Sequence, residues 1–442
     1  MRRFGRAVAP GNPRSLLIVL FVAIFITGLI ALVDMATGLM ARDAVSNADV
    51  SVFNLMKEMR NAPADELMTT ITMLGDGAVL TVLAVVIVTW LVWRRAYRGA
   101  IAAAIAIVAG KIFVPILKYG IQRPRPIELY GGAEMYSFPS GHATMSMLIF
   151  GILAVLVSHS MGRWGRAVVY AMCGIVVIAI AYSRVYLGAH WLSDVVGGLI
   201  FGAVMTAAFA VAIEAIPPRR IMPLGLFGAG FLAFVVAGTL HVAADYEDAE
   251  VAYAPRQLTE HIDLAQWQES GWKRLPLRRI DLAGKAEEIF LAQWAGSLDP
   301  LRDALAASGW TETPKWTWRD AIPYLNPNAA LDEVLPRPAL HEGLKAKLTM
   351  VRNVSGNSGR RQVVRVYKTD IEVGAGQGIF LVSLTDEELR KRFHLYAVPT
   401  PLPAAGAETT AMLQSLAASP KLAIVAENTV EKVTQALILA RP

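Results

Sequence analysis

The chain has very little cysteine and few charged residues for its length. Its 442 residues include one cysteine, Cys173, so no intramolecular disulfide bond can form. Charged residues make up 18% of the sequence and hydrophobic residues 55%. This balance argues for a membrane protein and against a soluble enzyme. No recognised nucleic-acid-binding motif is present, and the net charge of +6 is attributed to arginines at lipid headgroups rather than to nucleic acid.

The apolar residues are concentrated in the first 243 positions. Seven stretches there are long enough to cross a bilayer core of about 30 Å. The first apolar run, from Ser15 to Val33, exceeds the core of a signal peptide, so an uncleaved first helix is predicted. The predicted spans cover residues 15–37, 71–93, 99–121, 142–160, 167–187, 195–215 and 221–243.

Charge asymmetry predicts the orientation of these spans. The segments 1–14, 94–98, 161–166 and 217–220 contain eleven arginines and no acidic residue. The alternate loops, 38–70 and 119–141, contain five basic and seven acidic residues. The positive-inside rule therefore predicts a cytoplasmic amino terminus and an external segment after residue 243.

The composition becomes charged and polar after about residue 244. Alternating patterns predict strands over Gln362–Val373, Gly378–Leu384 and Lys421–Glu427. Helices are predicted over Ser297–Ser308 and Asp386–Phe393. An α+β external domain is therefore expected. Its six tryptophans are predicted as core residues rather than a sugar-binding platform: Trp267, Trp272, Trp294, Trp310, Trp316 and Trp318.

A histidine and an aspartate lie at the start of the sixth predicted span. His190 and Asp194 are four residues apart and would share one face of a helix. A carboxylate there could orient the imidazole and leave its other nitrogen free to act as a nucleophile. Taken alone, the pair is also typical of a simple helix-end cap.

A Ser-Gly-His sequence opens the fourth predicted span. Ser140 and Gly141 at a helix start would present backbone N–H groups to an anion. His142 in the first turn could protonate a departing oxygen. An ordinary helix N-cap is the alternative.

Three cations lie at the outer ends of spans three and five. Lys118, Arg125 and Arg184 suit the recognition of phosphate oxygens. Snorkelling to the interface would explain one of them, but the positive-inside rule disfavours three on the outer side. Arg123 is interpreted as a headgroup or neighbour contact. Together the three regions predict one phosphate-handling site at the outer membrane edge.

The spacing of these residues resembles a known signature. The patterns K-x6-R-P, P-S-G-H and S-R-x5-H-x3-D are similar to the three motifs of the type 2 phosphatidic acid phosphatase (PAP2) superfamily, over about residues 70–215. The resemblance implies hydrolysis without metal or cofactor through a phosphohistidine. It implies His190 as nucleophile, Asp194 as its partner and His142 as general acid. The positions matched to phosphate binding are Lys118, Arg125, Ser140, Gly141 and Arg184.

The segment after the membrane domain faintly resembles the LssY-type carboxy-terminal domain. The resemblance depends on Gln293–Asp299, Ala307–Trp310 and Val364–Tyr367. The predicted organisation is a PAP2-like helical bundle over residues 1–216, an additional transmembrane helix over 217–243 and a periplasmic α+β domain over 244–442. A protein or cell-envelope partner of this last domain is left open.

The resemblance implies an integral lipid phosphatase of a bacterial inner membrane, with its site facing the periplasm. The expected substrates are undecaprenyl pyrophosphate, phosphatidylglycerophosphate or phosphatidic acid. Two other functions remain open. A phosphotransferase would pass the phosphoryl group to a sugar or lipid acceptor, and a transporter or scaffold would carry the motifs without activity.

Several other polar residues are not assigned to this site. Lys111 and Asp76 are predicted as a structural ion pair within the membrane, with a role in the substrate path as the alternative. Five histidines are scattered without the spacing of metal ligands, so no metal site is expected. They are His159, His241, His261, His341 and His394.

Overall fold

Two units with different secondary structure follow each other along the chain. They are Met1–Pro255 and Arg256–Pro442. The computed structural model describes residues 15–41, 44–127, 135–159, 161–213, 221–255, 259–354, 359–374, 376–393, 395–403, 406–430 and 433–440.

The first unit is built from successive helices. Five of them, α5 to α9, are long and apolar enough to cross a membrane, and the bent pair α3–α4 makes six if it counts as one span. The first predicted span falls in α1, where Val19–Ala31 is apolar. The helices are α1 (Ser15–Ala41), α2 (Ala44–Met59), α3 (Ala62–Met73), α4 (Gly77–Trp93), α5 (Tyr97–Ile121), α6 (Gly141–Ser158), α7 (Arg163–Tyr186), α8 (Leu192–Ile213) and α9 (Pro223–Tyr253).

The second predicted span is broken instead of continuous. The chain leaves α3 after Met73 and re-enters a helix at Gly77, with a bend of 40°. Glycines on both sides of Asp76 weaken a helix at this point. A Cβ atom on Gly75 would lie 2.4 Å from Ile180 and 3.0 Å from the ring of His142. The bend therefore packs tightly against α6 and α7 and brings Asp76 into the bundle.

The last helix is longer than expected. Its predicted end is residue 243, but α9 continues to Tyr253. Its final turns carry His241, Asp245 and Tyr253, which contact residues of the other helices or of α9 itself. The predicted division at residue 243 falls inside this helix.

Helix α6 is the most buried of the five long helices. Ser140 caps it by accepting a hydrogen bond from the Ala143 N–H at 3.4 Å. Two glycines of α8 allow the backbones to approach each other. A Cβ on Gly198 would lie 2.8 Å from the Ser140 carbonyl oxygen, and one on Gly202 would lie 2.7 Å from that of Thr144. This packing fixes the first turn of α6 against the second and third turns of α8.

The second unit contains a ten-stranded sheet. Its main path runs β11-β12-β3-β9-β8-β7-β4, with β1 on β8, β10 on β9 and β2 on β3. The elements are β1 (Glu260–Ile262), α10 (Leu264–Glu269), β2 (Arg278–Ile280), β3 (Ala286–Ala295), α11 (Leu298–Ala307), β4 (Thr311–Glu312), β5 (Leu340–His341), β6 (Leu344–Lys345), β7 (Leu348–Asn353), β8 (Arg360–Val373), β9 (Gln377–Arg392), β10 (Tyr396–Pro403), α12 (Gly406–Ala417), β11 (Leu422–Val430) and β12 (Val433–Ala440).

Each face of this sheet buries its own hydrophobic cluster. Along β9, Phe380 and Val382 belong to one cluster, whereas Ile379 and Leu381 belong to the other. This alternation is the period of a strand with two covered faces. The predicted fold class, a helical membrane domain followed by an α+β domain, is confirmed. Among the six tryptophans, the core prediction holds for four: Trp267, Trp272, Trp294 and Trp310. It is wrong for Trp316 and Trp318, which are exposed.

The helix predicted over Asp386–Phe393 is wrong. Strand β9 continues through these residues to Arg392, between β8 and β10. Glu387 accepts hydrogen bonds from Arg361 at 2.9 Å and Arg365 at 2.6 Å, both on β8. Cross-strand pairing of buried charges therefore overrides the local helix preference of this polar segment.

Candidate active site

A cavity of about 350 Å³ lies within the first unit. Six of its lining residues are ionisable, four are apolar and three are glycines. Of the eight predicted site residues, five line it: Arg125, Gly141, His142, Arg184 and His190. The other three, Lys118, Ser140 and Asp194, are fully buried. The remaining lining residues are Gly75, Asp76, Gly77, Leu80, Lys111, Val114, Pro115 and Met145.

His190 lies in the tight connection between α7 and α8. Gly188 takes a left-handed conformation (φ 70°) there, and the N–H groups of Ala189 and His190 both donate to the carbonyl of Arg184. The Nε2 atom of His190 is 3.0 Å from Nη1 of Arg125. Because a guanidinium only donates, Nε2 accepts this hydrogen bond and the ring proton of a neutral His190 is on Nδ1.

The charges around His190 keep it neutral. It is 2% exposed and lies outside the spanning helices. Burial lowers the pKa of His190 well below its ordinary value, and the positive charges of Arg125, Arg184 and Lys118 lower it further. A neutral imidazole with an unprotonated Nε2 is the form that can attack an electrophile.

Asp194 lies in the first turn of α8 beside His190. Its Oδ2 atom is 3.5 Å from Nδ1 of His190 and accepts a hydrogen bond from the Trp191 N–H at 2.9 Å. The Ser140 N–H donates to the Asp194 carbonyl at 3.0 Å, which ties the second and third motifs together. The carboxylate is thus close enough to favour the Nδ1-protonated ring.

Arg123, predicted as a headgroup or neighbour contact, forms a buried network with specific partners. Its guanidinium donates to Oδ1 of Asp194 at 2.7 Å, to Oδ2 of Asp49 at 2.6 Å and to Oγ of Ser193 at 2.7 Å. The Arg123 side chain is only 12% exposed, and both carboxylates are buried. Asp49 comes from α2, which the sequence pattern placed in an external loop. Nothing in the local pattern of residues 38–70 indicates this partner.

Arg184 is held by residues from two other helices. Its Nη1 donates to Oγ1 of Thr72 at 2.8 Å and to the hydroxyl of Tyr253 at 2.7 Å. The guanidinium also lies 5.4 Å from the centre of the Tyr253 ring. Arg184 is 1% exposed and lines the cavity, so its orientation is fixed before any ligand enters.

His142 pairs with Asp76, not with a residue of its own motif. Its Nε2 atom is 2.6 Å from Oδ1 of Asp76, whose Oδ2 is 2.8 Å from Nε2 of His241. The predicted ion pair between Lys111 and Asp76 is therefore wrong: Lys111 donates to Oγ1 of Thr81 at 2.8 Å. His241, which was not assigned to the site from the sequence, contacts Asp76. His394 lies outside the described residues. Only the intramembrane position of Asp76 and His241 could have indicated this pairing.

Comparison with known proteins follows the two units. Residues 99–218 match the family model of the PAP2 superfamily, and residues 272–400 match that of the LssY C-terminus. Phosphatidylglycerophosphatase B of Bacillus subtilis (strain 168) is 29% identical over 166 residues, which cover 37% of this chain and 82% of that protein. Undecaprenyl-diphosphatase of Sulfolobus acidocaldarius is 25% identical over 179 residues, covering 39% and 81%.

A third relative and one solved structure extend the comparison. Lipid A 1-phosphatase of Rhizobium johnstonii is 32% identical over 108 residues, which cover 22% of this chain and 41% of that protein. The crystal structure of a transmembrane PAP2 type phosphatidylglycerolphosphate phosphatase from Bacillus subtilis covers 45% of this chain and 97% of its own, with 27% identity and a TM-score of 0.39. The resemblance predicted from the motifs is confirmed: residues 99–218 match the PAP2 superfamily, residues 272–400 match the LssY C-terminus, and the relatives named above are lipid phosphatases.

Proposed function

We propose that this protein is an integral membrane phosphatase that hydrolyses the phosphomonoester or pyrophosphate headgroup of a lipid through a phosphohistidine. The observation that carries the proposal is the cavity that combines His190, His142, Arg125 and Arg184 with apolar side chains. Each histidine contacts a carboxylate, His142 that of Asp76 and His190 that of Asp194.

The first step is attack of the Nε2 lone pair of His190 on phosphorus. A P–N bond forms while the bond from phosphorus to the leaving oxygen breaks. Arg125 and Arg184, with buried Lys118 nearby, stabilise negative charge on the phosphoryl oxygens. The backbone N–H groups of Gly141 and His142, in the first turn of α6, add to this stabilisation. Asp194 offsets the positive charge that develops on the imidazole of His190.

His142 completes both halves of the reaction. It donates a proton to the leaving oxygen in the first step. In the second step it takes a proton from water, whose oxygen attacks phosphorus and breaks the P–N bond. Inorganic phosphate leaves and His190 returns to its neutral form. Proton transfer of this kind contributes on the order of 10²–10⁴-fold to the rate.

The apolar part of the cavity favours a lipid substrate. Leu80, Val114, Pro115 and Met145 line it together with the charged residues. A lipid could place its phosphate between the cations while its tail remains in the bilayer. Undecaprenyl pyrophosphate, phosphatidylglycerophosphate and phosphatidic acid all fit this description. The polyprenyl pyrophosphate is preferred because a site on the outer face of a bacterial inner membrane suits carrier-lipid recycling.

The orientation is part of the proposal. Arginines concentrate in the segments predicted to be cytoplasmic, which places the site and residues 256–442 in the periplasm. An exposed cysteine introduced into the second unit, in a Cys173→Ser background, should react with an impermeant maleimide in spheroplasts. If the cysteine reacted only after lysis, residues 256–442 would lie in the cytoplasm and the proposed orientation would be wrong.

Phosphate release from a panel of lipid phosphates tests the function. The purified protein should release phosphate from at least one of the three lipids, and excess EDTA should not reduce turnover. His190→Gln should abolish release, whereas His261→Gln, at an exposed histidine of the second unit, should not. Transfer of labelled phosphate to a sugar or lipid acceptor would favour a phosphotransferase. A wild-type protein inactive on every lipid would overturn the proposal.

A further inference from the structure

Helix α9 lies outside the residues matched to the PAP2 superfamily, yet it contacts two residues that line the cavity. The match covers residues 99–218, whereas α9 covers Pro223–Tyr253. Its His241 contacts Asp76, and its Tyr253 hydroxyl contacts Arg184. Asp76 also precedes the matched segment. A second group of polar residues, outside the three motifs, therefore contacts the motif residues directly.

Asp76 is shared between two imidazoles. Oδ1 is 2.6 Å from Nε2 of His142, and Oδ2 is 2.8 Å from Nε2 of His241. A carboxylate only accepts hydrogen bonds, so both Nε2 atoms donate to it. The Nδ1 atom of His142 is then the nitrogen that can give a proton to a leaving group. Asp76 thus selects which nitrogen of His142 serves the reaction.

His241 is held on its other side by Asp245. The Nδ1 atom of His241 is 2.8 Å from Oδ2 of Asp245, one turn further along α9. Asp245 is 53% exposed, whereas His241 is 18% exposed. With both ring nitrogens close to carboxylates, His241 is held in one orientation. The chain of contacts Asp245, His241, Asp76, His142 thus leads from solvent to the cavity.

We propose that His241 and Asp245 are positioning residues that fix Asp76 and, through it, His142 as the general acid. This inference rests on the proposed phosphatase function. It assigns α9 a role in proton transfer rather than only in joining the two units. Loss of His241 would let the Asp76 carboxylate rotate, and His142 would lose the preference for donating from Nδ1.

A pair of substrates with the same acyl chains isolates this role. Phosphatidic acid loses an alkoxide, which needs a proton from an acid. When His190 attacks the terminal phosphorus of diacylglycerol pyrophosphate, the leaving group is phosphatidate, a phosphate anion that departs without a proton. His241→Gln should lower kcat/KM, which reports the steps up to formation of the phosphohistidine, on the order of tenfold for phosphatidic acid and less than about twofold for the pyrophosphate.

A double-mutant cycle tests whether the effect passes through His142. In a His142→Ala background, His241→Gln should cause no further loss, because the acid is already absent. Asp245→Asn should change the kcat/KM values for the two substrates in the same direction as His241→Gln, by a smaller factor. Asp248→Asn, at an exposed carboxylate on the same helix, should change nothing. Elution volume and melting temperature would confirm that each variant folds.

The outcomes separate this inference from the function on which it rests. Equal loss on both substrates, or additive losses with His142→Ala, would overturn the positioning role while leaving the phosphatase intact. Wild-type protein that hydrolyses neither lipid nor any other lipid phosphate would overturn both. If His241→Gln does not fold, Asp245→Asn, at the exposed end of the chain of contacts, decides the question: an unchanged kcat/KM for phosphatidic acid would overturn the inference.

Discussion

Nη1 of Arg125 lies 3.0 Å from Nε2 of His190 and also donates to the carbonyl oxygen of Ala189 at 2.7 Å. In this arrangement the guanidinium of Arg125 donates a hydrogen bond to the lone pair of the proposed nucleophile. A phosphate group that enters the cavity offers Arg125 charged oxygens, which are stronger acceptors than an imidazole nitrogen. Ligand binding would then turn the guanidinium towards the phosphate and uncover Nε2 in the same movement.

Arg125→Lys should therefore lower the activity strongly, although the positive charge is retained. An ammonium group cannot donate to two phosphoryl oxygens in the forked geometry of a guanidinium. We expect kcat/KM for lipid phosphate hydrolysis to fall on the order of 10²-fold, as when one transition-state donor is removed. Arg278→Lys, at an exposed arginine of strand β2, is the matched control. Wild-type kinetics for Arg125→Lys would contradict a direct contact with phosphate.

The neutral form of His190 allows a prediction of how kcat/KM falls at low pH. Because burial and the neighbouring cations lower the pKa of His190, the reactive neutral ring persists below the pH at which an ordinary histidine becomes protonated. Activity, measured as kcat/KM against pH, should fall only at pH values below that range. Arg125→Gln removes one of these cations, so the pKa of His190 should rise and the acid limb should move to higher pH. An unchanged limb would argue that another group controls it.

The motif residues could be predicted from the sequence because each is tied to a helix end. Helix ends follow from local signals, such as Pro139 before Ser140, and from the length of apolar runs. The partners of these residues could not be predicted in the same way. Asp49 and His241 lie 145 and 47 positions from Asp194 in the sequence. Only packing of α2 and α9 against the bundle brings them to the site.

The break at Gly75 and the strand through Glu387 show the same limit in the two units. A hydropathy window treats residues 71–93 as one span, because a single Asp76 hardly lowers the average. The glycines that flank Asp76 weaken the helix locally, and the contacts of Asp76 with two imidazoles stabilise the bend. In β9, Glu387 finds Arg361 and Arg365 on the neighbouring strand. In both cases, contacts between charged or titratable residues that are distant in the sequence stabilise the backbone conformation. A local sequence pattern does not reveal such contacts.

Arg123→Gln tests the buried network around Asp194. The substitution leaves Asp49 and Asp194 without their shared cation, and breaking a buried ion pair costs about 3–5 kcal/mol. We expect a lower melting temperature in detergent and loss of phosphate release. Arg98→Gln, at an exposed arginine of α5, should change the free energy of unfolding by less than about 0.5 kcal/mol. Equal melting temperatures for the two variants would contradict the network.

Tyr253→Phe tests the contact between α9 and Arg184. The variant loses the hydroxyl that accepts a hydrogen bond from Arg184 but keeps the ring beneath the guanidinium. Thr72 still accepts from the same Nη1 atom. We expect a fall in kcat/KM of about threefold to tenfold, as for the net loss of one ordinary hydrogen bond, with little change in melting temperature. A variant that matches wild type in kcat/KM would show that Arg184 does not need α9.

Gly198→Ala tests how closely α6 and α8 must approach to build the site. The added Cβ would lie 2.8 Å from the carbonyl oxygen of Ser140, a backbone atom that cannot move without displacing Gly141 and His142. Overpacking of this kind costs about 1–3 kcal/mol. Gly174→Ala on α7 is the matched control, because no atom lies within 4 Å of its Cβ position. An open helical glycine should gain about 0.5–1 kcal/mol from the same change. Phosphate release and melting temperature should therefore both fall for Gly198→Ala and hold or rise for Gly174→Ala. If the two variants behaved alike, close backbone contact at Ser140 would not be what positions His142.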